Sequence, residues 1–326
     1  MKKIVCFGEA LIDFLGAPVV AETPRAFLQH AGGAPANVAV AVAQLGGDAE
    51  FVGMLSRDMF GDFLRESFTA MGVGCSYIRR TAQAPTALAF VSLDAHGERT
   101  FNFYRPPAAD LLFHENDFEP AMFADADFFH VCSNSLTEAA IAQATFAGMQ
   151  RARTAGALVS FDMNLRPRLW ANDADPLPRI RIALASADIV KLSAEEFAFL
   201  IAAEGDEKHV FELLWSGATQ SLIVTNGAAA LRWYTRHARG RVSAHVVRAV
   251  DTTAAGDAFV GGLLFQLSAR EITAQNFAAF LADEKNFEST LHFAAACGAI
   301  AVTRPGAFAS MPTLADVQAL PGNLDD

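Results

Sequence analysis

The amino-acid sequence predicts a three-layer α/β/α domain with a mostly parallel central sheet and a small additional β-sheet. Short apolar runs alternate with segments of helical periodicity along the 326 residues, which is typical of parallel strands covered by helices on both faces. Two strand-like runs, TALAFVSL and RTFNFY, follow one another across the turn-forming residues Asp94–Glu98. Such a hairpin does not fit a parallel sheet, so we expect it to belong to a separate β lid.

The length allows one large domain with an insertion, or two domains. We expect a single domain over residues 1–326, with residues 14–32 and 86–106 forming a discontinuous lid. A lid of few strands needs support from the main domain or from a second subunit. We therefore expect a homodimer that forms through the lid.

The elements of the main sheet are predicted from apolar runs and periodicity. The N-terminal run KIVCFGEALIDFLG is interpreted as a first strand that is kept in the mature chain, with Asp13 near its end. Residues 35–46 predict a helix, because Val38, Val42 and Leu45 recur on one helical face between a proline and a glycine. Further strands are predicted at EFVGML, DFFHVC, LVSFDMN, ADIVKLS and SLIVTNG.

The composition excludes several classes of protein. Hydrophobic residues make up 52% of the chain, but we find no apolar run of the roughly 20 residues that a membrane span needs. The sequence therefore predicts a soluble, cytoplasmic protein without a membrane partner. The formal charge of −11 argues against nucleic-acid binding. The four cysteines form no CxxC pair and the eight histidines no HExxH motif, so neither a disulfide framework nor structural zinc is indicated.

The most informative segment is Asp251–Asp257, DTTAAGD, which is followed directly by an apolar helical run. Small residues at a helix start leave backbone amides uncovered, and the helix dipole adds positive potential, so the segment predicts an anion site. A carboxylate beside such a site can accept a proton from a hydroxyl that attacks a phosphate. The alternative is that Asp257 only caps the helix. The sequence contains neither a P-loop motif nor a strand-linked GxGxxG.

This segment resembles the C-terminal signature of the PfkB (ribokinase-like) carbohydrate kinase family, and among its members that of the fructokinases. The resemblance implies a ribokinase-like fold, with Asp257 as the catalytic base and the amides of Ala254, Ala255 and Gly256 as an anion hole. Ala254 stands where many members of the family have glycine.

A second run, GGAPANVA from Gly32 to Ala39, resembles the N-terminal glycine motif of the same family. The resemblance implies that Gly32 and Gly33 form a hinge for lid closure and that Asn37 contacts the sugar. It also implies that Asp13 binds sugar hydroxyls from the carboxyl edge of the sheet, where ligands of open α/β sheets bind.

Two more runs are similar to those of fructokinases. The run FYRPPAAD contains Arg105, which we expect to swing with the lid and to offer a donor fork to the sugar or to the transferred phosphoryl group. The run DMNLR implies that Asn164 and Arg166 lie near the transferred phosphate or the substrate.

The family likeness also implies sites for the nucleotide and for metal ions. Ser193 to Glu196 aligns with an NxxE motif whose glutamate places Mg²⁺ through water, and the same residues form a capping-box pattern. ATP is expected at Thr225, Gly227, Thr252, Gly256, Ala296, Gly298 and Ala299. A monovalent cation such as K⁺ is expected at Asp251, Thr253, Ala301, Arg304, Gly306 and Ser310, mostly through backbone oxygens.

Together these observations predict an ATP-dependent sugar kinase that acts on fructose. Other small substrates of the same family remain alternatives, including 2-keto-3-deoxygluconate, another ketose or a nucleoside. A sugar sensor without catalytic activity is a further alternative of a different class, although the sequence retains both the base and the anion hole.

Overall fold

The protein forms two sheets and eleven helices within residues 3–17, 24, 26–93, 99–171 and 174–320, which are the residues that the computed structural model describes. The strands are β1 (Lys3–Phe7), β2 (Leu11–Gly16), β3 (Phe27–Gly32), β4 (Ala49–Ser56), β5 (Ile78–Thr81), β6 (Leu88–Leu93), β7 (Arg99–Tyr104), β8 (Ala126–Cys132), β9 (Leu158–Asp162), β10 (Ile189–Ser193), β11 (Ser221–Asn226), β12 (Ala229–Thr235) and β13 (Arg239–Val242). The helices are α1 (Ala34–Gln44), α2 (Met59–Ala70), α3 (Ala121–Ala124), α4 (Ala139–Thr154), α5 (Leu177–Ser186), α6 (Ala194–Glu204), α7 (Glu207–Ser216), α8 (Ala255–Ala269), α9 (Phe277–Ala282), α10 (Glu284–Ala301) and α11 (Leu314–Ala319).

The large sheet has nine strands in the order β13-β12-β11-β10-β9-β8-β1-β4-β5. The neighbouring strands from β5 to β11 are parallel, and only β12 and β13 pair antiparallel at one edge. The predicted mostly parallel sheet is therefore confirmed. Its carboxyl edge collects the strand ends that carry the predicted site residues.

Two apolar layers cover the faces of this sheet. Along β1, Val5 and Phe7 belong to one core cluster, while Ile4 and Cys6 belong to the other. Helices α4 to α7 contribute to the first cluster, and α1, α2, α8 and α10 contribute to the second. Because successive side chains of a strand point to opposite faces, this alternation confirms the three-layer α/β/α arrangement.

The small sheet has four strands in the order β3-β2-β6-β7. The predicted hairpin is confirmed, since β6 and β7 pair antiparallel over their full length. The turn expected at Asp94–Glu98, and residues 18–23 and 25 of the expected lid segment, lie outside the described residues.

The prediction of one N-terminal strand was wrong. Residues Gly8–Ala10 separate β1 of the large sheet from β2 of the small sheet. Asp13 therefore lies in the middle of a strand of the small sheet, opposite His30 of β3, and not at the end of a strand of the large sheet. The glycine at position 8 has φ +147, a backbone conformation that ends the first strand.

Within the described residues, no helix is long and apolar enough to cross a membrane.

Candidate active site

The sequence predicts an anion-binding backbone at the start of α8, which has no side-chain cap. Ala254 precedes the helix with φ +58, in the left-handed region, and its side chain makes no capping hydrogen bond. The first amides of a helix have no intrahelical acceptor, so without a side-chain cap they are available to an anion. The left-handed backbone also explains why glycine suits this position, since this conformation costs an alanine residue about 1 kcal/mol.

Asp257 does not cap this helix. The N-cap is Ala254, and Asp257 is the third residue of the helix, buried in the first turn. The alternative that Asp257 serves only as a helix cap was therefore wrong.

The side chain of Asp257 contacts Asn37 of α1. Asn37 Nδ2 donates to Asp257 Oδ2 at 2.7 Å, across 220 residues of sequence. The starts of α1 and α8 thus meet at one point. Asn37 is itself buried, and its Oδ1 has no hydrogen-bond partner among the described residues. A buried amide oxygen without a donor marks a position for a ligand hydroxyl, because leaving it unpaired costs free energy.

Gly33 allows α1 to begin where it does. Its φ is +110, and a Cβ there would lie 2.5 Å from the carbonyl oxygen of Glu9. Only glycine accommodates both the backbone conformation and this close approach. The helix therefore starts beside the β1–β2 connection, and Asn37 one turn later faces Asp257.

Burial raises the pKa of Asp257 to about 7. The hydrogen bond from Asn37 and the positive charges of Lys191 and Arg166 oppose the shift, while the nearby Asp162 adds to it. A carboxyl with this pKa is well matched to accept a proton near neutral pH.

Lys191 is a site residue that the sequence reasoning missed. It lies in β10, its side chain is 9% exposed, and its Nζ lies 3.0 Å from Asp162 Oδ2. Burial would lower the pKa of Lys191, but the charges of Asp162 and Glu196 outweigh this and raise it, so the amine stays charged. The sequence does contain a pattern that indicates this residue: a lysine stands within the apolar run ADIVKLS. A buried ammonium group needs a charged partner, so such a lysine is expected to pair with an acid.

Gly256 brings its backbone close to this ammonium group. A Cβ at position 256 would lie 2.9 Å from Lys191 Nζ. The glycine thus keeps the space between the start of α8 and the lysine open. An anion at this helix start would meet both backbone amides and a positive side chain.

Asp13 extends from the small sheet toward the same region. A Cβ on Gly32 would clash with Asp13 Oδ2, so the glycine makes room for the carboxylate. Burial raises the pKa of Asp13 to about 7, and the negative charge of Asp251 adds to this shift. Two carboxyls of raised pKa therefore approach the site, one from helix α8 and one from the small sheet.

Arg105 differs from its expected place. Its side chain is 2% exposed. Its Nε donates to Asp110 Oδ2 at 2.8 Å, and its Nη2 donates to the carbonyl of Asn134 at 2.9 Å. The expected swinging arginine is thus held in a buried ion pair, because Asp110 of its own motif folds back onto it. Its Nη1 has no hydrogen-bond partner among the described residues, which leaves one donor for a ligand.

Glu9 is a further buried acid, and the sequence did not indicate it as functional. Its Oε1 accepts hydrogen bonds from the backbone of Ala34 at 3.1 Å and from Asn134 Nδ2 at 2.9 Å. Burial raises its pKa, and the charge of Arg105 opposes this. Glu9 therefore links the start of α1 to the Arg105 cluster.

Ser193 and Glu196 form the predicted capping box at the start of α6. Glu196 Oε2 accepts from the Ser193 amide and Oε1 from the Leu165 amide, both at 2.7 Å. Burial raises the pKa of Glu196, and Asp162 adds to the shift. Within the described residues, no cluster of three metal-ligating side chains occurs. The carboxylates of Glu196 and Asp162 suit a hydrated Mg²⁺ that is bound together with nucleotide phosphates, which is how this ion usually binds.

Asn164 and Arg166 follow β9 at the same edge. Asn164 has φ +37, a left-handed backbone that costs free energy and is frequent at functional sites. Arg166 is exposed, and its charge lowers the pKa of Asp257. The structure thus brings Arg166 within electrostatic reach of the carboxylate that the sequence singled out, and Asn164 lies two residues before Arg166.

Asp251 ties the start of α8 to the loop after α10. Its Oδ2 accepts from the Gly306 amide at 3.0 Å, and its Oδ1 accepts from the Thr253 amide at 2.7 Å. The Ser310 hydroxyl donates to the carbonyl of Ala307, and the Arg304 side chain pairs with Asp316 of α11. The carbonyl oxygen of Val302, the first residue after α10, accepts from the amides of Val250 and Asp251. The end of α10 at Ala301 and the loop that follows it therefore lie beside Asp251.

The residues expected at the nucleotide fall into two groups. Thr225 is the last residue but one of β11 and lies beside β10, where its hydroxyl donates to the Leu192 carbonyl. Gly227 lies in the following turn with φ +53. Thr252 is exposed just before α8. These three positions are open at the carboxyl edge.

The other group lies on α10. Gly298 approaches α8, since a Cβ there would lie 3.1 Å from the Ala255 carbonyl oxygen, and Ala299 is half-buried beside it. Ala296 differs from the expectation, because it is fully buried and belongs to a core cluster with Phe265 and Cys297. It has no accessible surface with which to line an adenine slot.

The protein has a large sheet between two helical layers, a small sheet beside the carboxyl edge of the large one, and a carboxylate at an uncapped helix start. This combination defines a ribokinase-like sugar kinase fold. Residues 1–314 match the model of the pfkB family carbohydrate kinases. The chain belongs to this family and is a carbohydrate kinase.

Its relatives include named fructokinases. Fructokinase-1 of Oryza sativa subsp. japonica is 43% identical over 97% of this chain and 96% of its own length. The structure of fructokinase with bound ATP from Xylella fastidiosa is 55% identical with a TM-score of 0.94, covering 98% of this chain and 97% of that one. The fructokinase from Vibrio cholerae O395, bound to fructose, ADP and calcium ion, is 33% identical with a TM-score of 0.86, covering 98% and 99%.

Proposed function

We propose that this carbohydrate kinase phosphorylates fructose with ATP, using Asp257 as the general base. The observation that carries the proposal is the contact between Asn37 and Asp257, which joins the starts of α1 and α8. It places a proton acceptor, an unpartnered amide oxygen and uncapped backbone amides at one point. The fructokinases named above support fructose as the acceptor.

The acceptor sugar would lie between Asp257 and Asp13. Asn37 Oδ1, which is buried without a described partner, accepts a hydrogen bond from one sugar hydroxyl. The carboxylate of Asp13 accepts from others, and the free Nη1 of Arg105 can donate to a sugar oxygen. Asp257 then removes the proton of the hydroxyl that is phosphorylated.

The phosphate side of the site uses backbone amides and one ammonium group. Bound Mg²⁺-ATP supplies the phosphoryl group and shields its charge. The amides of Ala254, Ala255 and Gly256 and the ammonium of Lys191 stabilise negative charge at the start of α8. Glu196 would hold Mg²⁺ through water, because each of its oxygens already accepts one backbone amide.

We also propose that the small sheet acts as a lid within one kinase domain that spans residues 1–326, with Gly32 and Gly33 as its hinge. A monovalent cation such as K⁺ would bind carbonyl oxygens of residues 301–310, at the end of α10 and in the segment after it, beside Asp251, and would thereby stabilise the start of α8.

A substrate panel tests the proposed activity. With ATP and Mg²⁺, we expect ADP release with fructose and little release with 2-keto-3-deoxygluconate, other ketoses or nucleosides. A coupled assay of ADP formation, run in Na⁺ and in K⁺, measures both the acceptor and the cation. Strong turnover of a sugar acid or nucleoside with none of fructose would contradict the proposed substrate.

We further propose a homodimer that forms through the outer face of the small sheet. Phe27, Phe90 and Tyr104 form an aromatic row there, with ring centroids 5.3 Å and 5.4 Å apart. Phe27 is 45% exposed and Tyr104 is 65% exposed. Exposed apolar surface of this kind is typical of interaction sites.

Sedimentation velocity tests this dimer. The wild-type protein should sediment as twice the chain mass of 34.8 kDa, and Phe27→Glu should sediment as a monomer, because a charge would be buried in the interface. Phe199→Glu, at a 37% exposed position on α6, serves as the matched control and should remain dimeric. A monomeric wild type, or a dimeric Phe27→Glu, would exclude this interface.

A cytoplasmic location is part of the proposal. All four cysteines are free thiols, and three of them are buried. Free thiols in a chain with no disulfide fit a reducing compartment.

A further inference from the structure

A concave arginine cluster lies at the antiparallel edge of the large sheet, away from the candidate active site. We call it the arginine cavity; it has a volume of about 490 Å³ and is lined by Glu207, Arg232, Tyr234, Arg239, Gly240 and Arg241. Thr235, next to Tyr234, pairs with Ser221 at the amino end of β11. Arg232 lies opposite Val224, next to Thr225, which we assign to the nucleotide. Val224 belongs to the core cluster on the α4–α7 face of the sheet, whereas α8 packs on the other face, so the cavity and the start of α8 lie on opposite faces of the sheet.

The strand register places these cationic groups on one face. Arg232 of β12 lies directly opposite Arg241 of β13, and Tyr234 lies opposite Arg239. Residues two apart on a strand share a face, so all four side chains project to the same side. Like charges directly opposite one another destabilise a strand pair. The arginines therefore repel one another across the strand pair, and an anion bound between them would remove this repulsion.

The charge of the cavity is not neutralised by its surroundings. Within the part of the chain that the structure describes, none of the three arginines forms an ion pair. Glu207 is the one acidic residue in the lining. The chain as a whole carries a formal charge of −11. A concave group of three unpaired guanidinium groups is thus a local exception on an acidic protein.

Two of the lining side chains are held in place before any ligand binds. The guanidinium of Arg232 lies over the ring of Phe197, 5.4 Å from its centroid. Tyr234 is 9% exposed and packs on Phe211 at 5.0 Å. Preorganised groups lose less entropy when they bind a ligand, so this wall of the cavity is suited to recognition.

A second cavity of about 320 Å³ adjoins the first and shares Tyr234 and Arg239 with it. Its lining includes Phe211 and Trp215, whose rings are stacked 6.0 Å apart. An aromatic surface next to guanidinium groups matches a ligand that has a planar ring beside several phosphates.

We propose that the arginine cavity is a second anion site, which binds a compound carrying several phosphate groups. Arg232, Arg239 and Arg241 each offer planar, bidentate donors to phosphate oxygens. The phosphates can belong to a free polyphosphate or to a nucleotide whose base occupies the adjoining aromatic cavity. The inference concerns a different surface from the kinase site and does not depend on the identity of the sugar.

Calorimetric titration with inorganic triphosphate tests the site. We expect the wild-type protein to bind one more triphosphate per chain than Arg239→Ser/Arg241→Ser, which should retain only binding at the kinase site. The remaining arginine alone should bind at least about tenfold more weakly. Arg57→Ser/Arg65→Ser is the matched control: it removes the same charge from exposed positions on and beside α2 and should bind like the wild type.

The ADP-release assay separates this result from the kinase activity. The value of kcat should be unchanged in both double variants, because none of the four arginines belongs to the candidate active site. If Arg239→Ser/Arg241→Ser does not fold, the two single substitutions carry the same test. The proposal would be overturned if the wild type and Arg239→Ser/Arg241→Ser bound the same number of triphosphates per chain. It would also be overturned if Arg57→Ser/Arg65→Ser lost as much triphosphate binding as the cavity variant.

A Trp215→Ala variant distinguishes the two sources of phosphate. If the arginine cavity binds a nucleotide, this change should lower the affinity of the cavity for GTP and leave its affinity for inorganic triphosphate unchanged. If it takes a free polyphosphate, both ligands should bind the variant as they bind the wild type.

Discussion

Asp257→Asn is expected to lower kcat by about two to four orders of magnitude, because the variant cannot accept the proton of the attacking hydroxyl. Asparagine keeps nearly the same shape and can still bond to Asn37, so the starts of α1 and α8 should stay together. Steady-state assay of ADP formation measures kcat, and calorimetry with an ATP analogue measures nucleotide affinity, which should change little. A variant with near-normal turnover would exclude Asp257 as the base.

The pH profile gives this prediction a second readout. The pKa of Asp257 is raised to about 7 by burial. Below that pH the carboxyl is protonated and cannot act as a base, so kcat/KM should fall as the pH drops through 7. The pKa of Asp13 is also raised to about 7, mainly by burial, so the wild-type fall should be steeper than a single titration. In Asp257→Asn the fall should be shallower, because only Asp13 still titrates.

Sequence reasoning located the parts of the site that lie in contiguous motifs. Asp257 and its small neighbours are adjacent along the chain, so the pattern of uncovered amides beside a carboxylate is visible in a few letters. Asn37 is one turn after a glycine pair, and its position near a helix start follows from local periodicity. The structure adds the 2.7 Å contact between these two motifs, which neither motif specifies alone.

Residues whose environment depends on distant partners were not found in this way. Lys191 and Asp162 are 29 positions apart, and only the pairing of β9 with β10 brings them together. Asp13 was assigned to the wrong sheet because its run of apolar residues conceals the break at Gly8–Ala10. Arg105 was expected to swing with the lid, since no local pattern shows that Asp110 and Asn134 hold its side chain in place.

Arg105→Met is expected to lower the free energy of unfolding by about 3–5 kcal/mol. The substitution leaves Asp110, whose side chain is 3% exposed, without its cation. It also removes the positive charge that opposes the raised pKa of Glu9. Urea unfolding, followed by tryptophan fluorescence, measures the loss.

The matched control is Arg181→Met, which breaks the ion pair with Glu204 between partly exposed side chains. Because solvent screens such pairs, this variant should lose at most about 1 kcal/mol. The double variant Arg105→Met/Asp110→Leu should recover part of the loss, since it removes the stranded carboxylate as well as the cation. Equal losses in Arg105→Met and Arg181→Met would show that the buried pair contributes no more than a surface pair. Recovery in the double variant would instead show that the loss of stability comes from the uncompensated charge of Asp110. Arg105 would then be the residue whose positive charge stabilises the buried carboxylates beside α1.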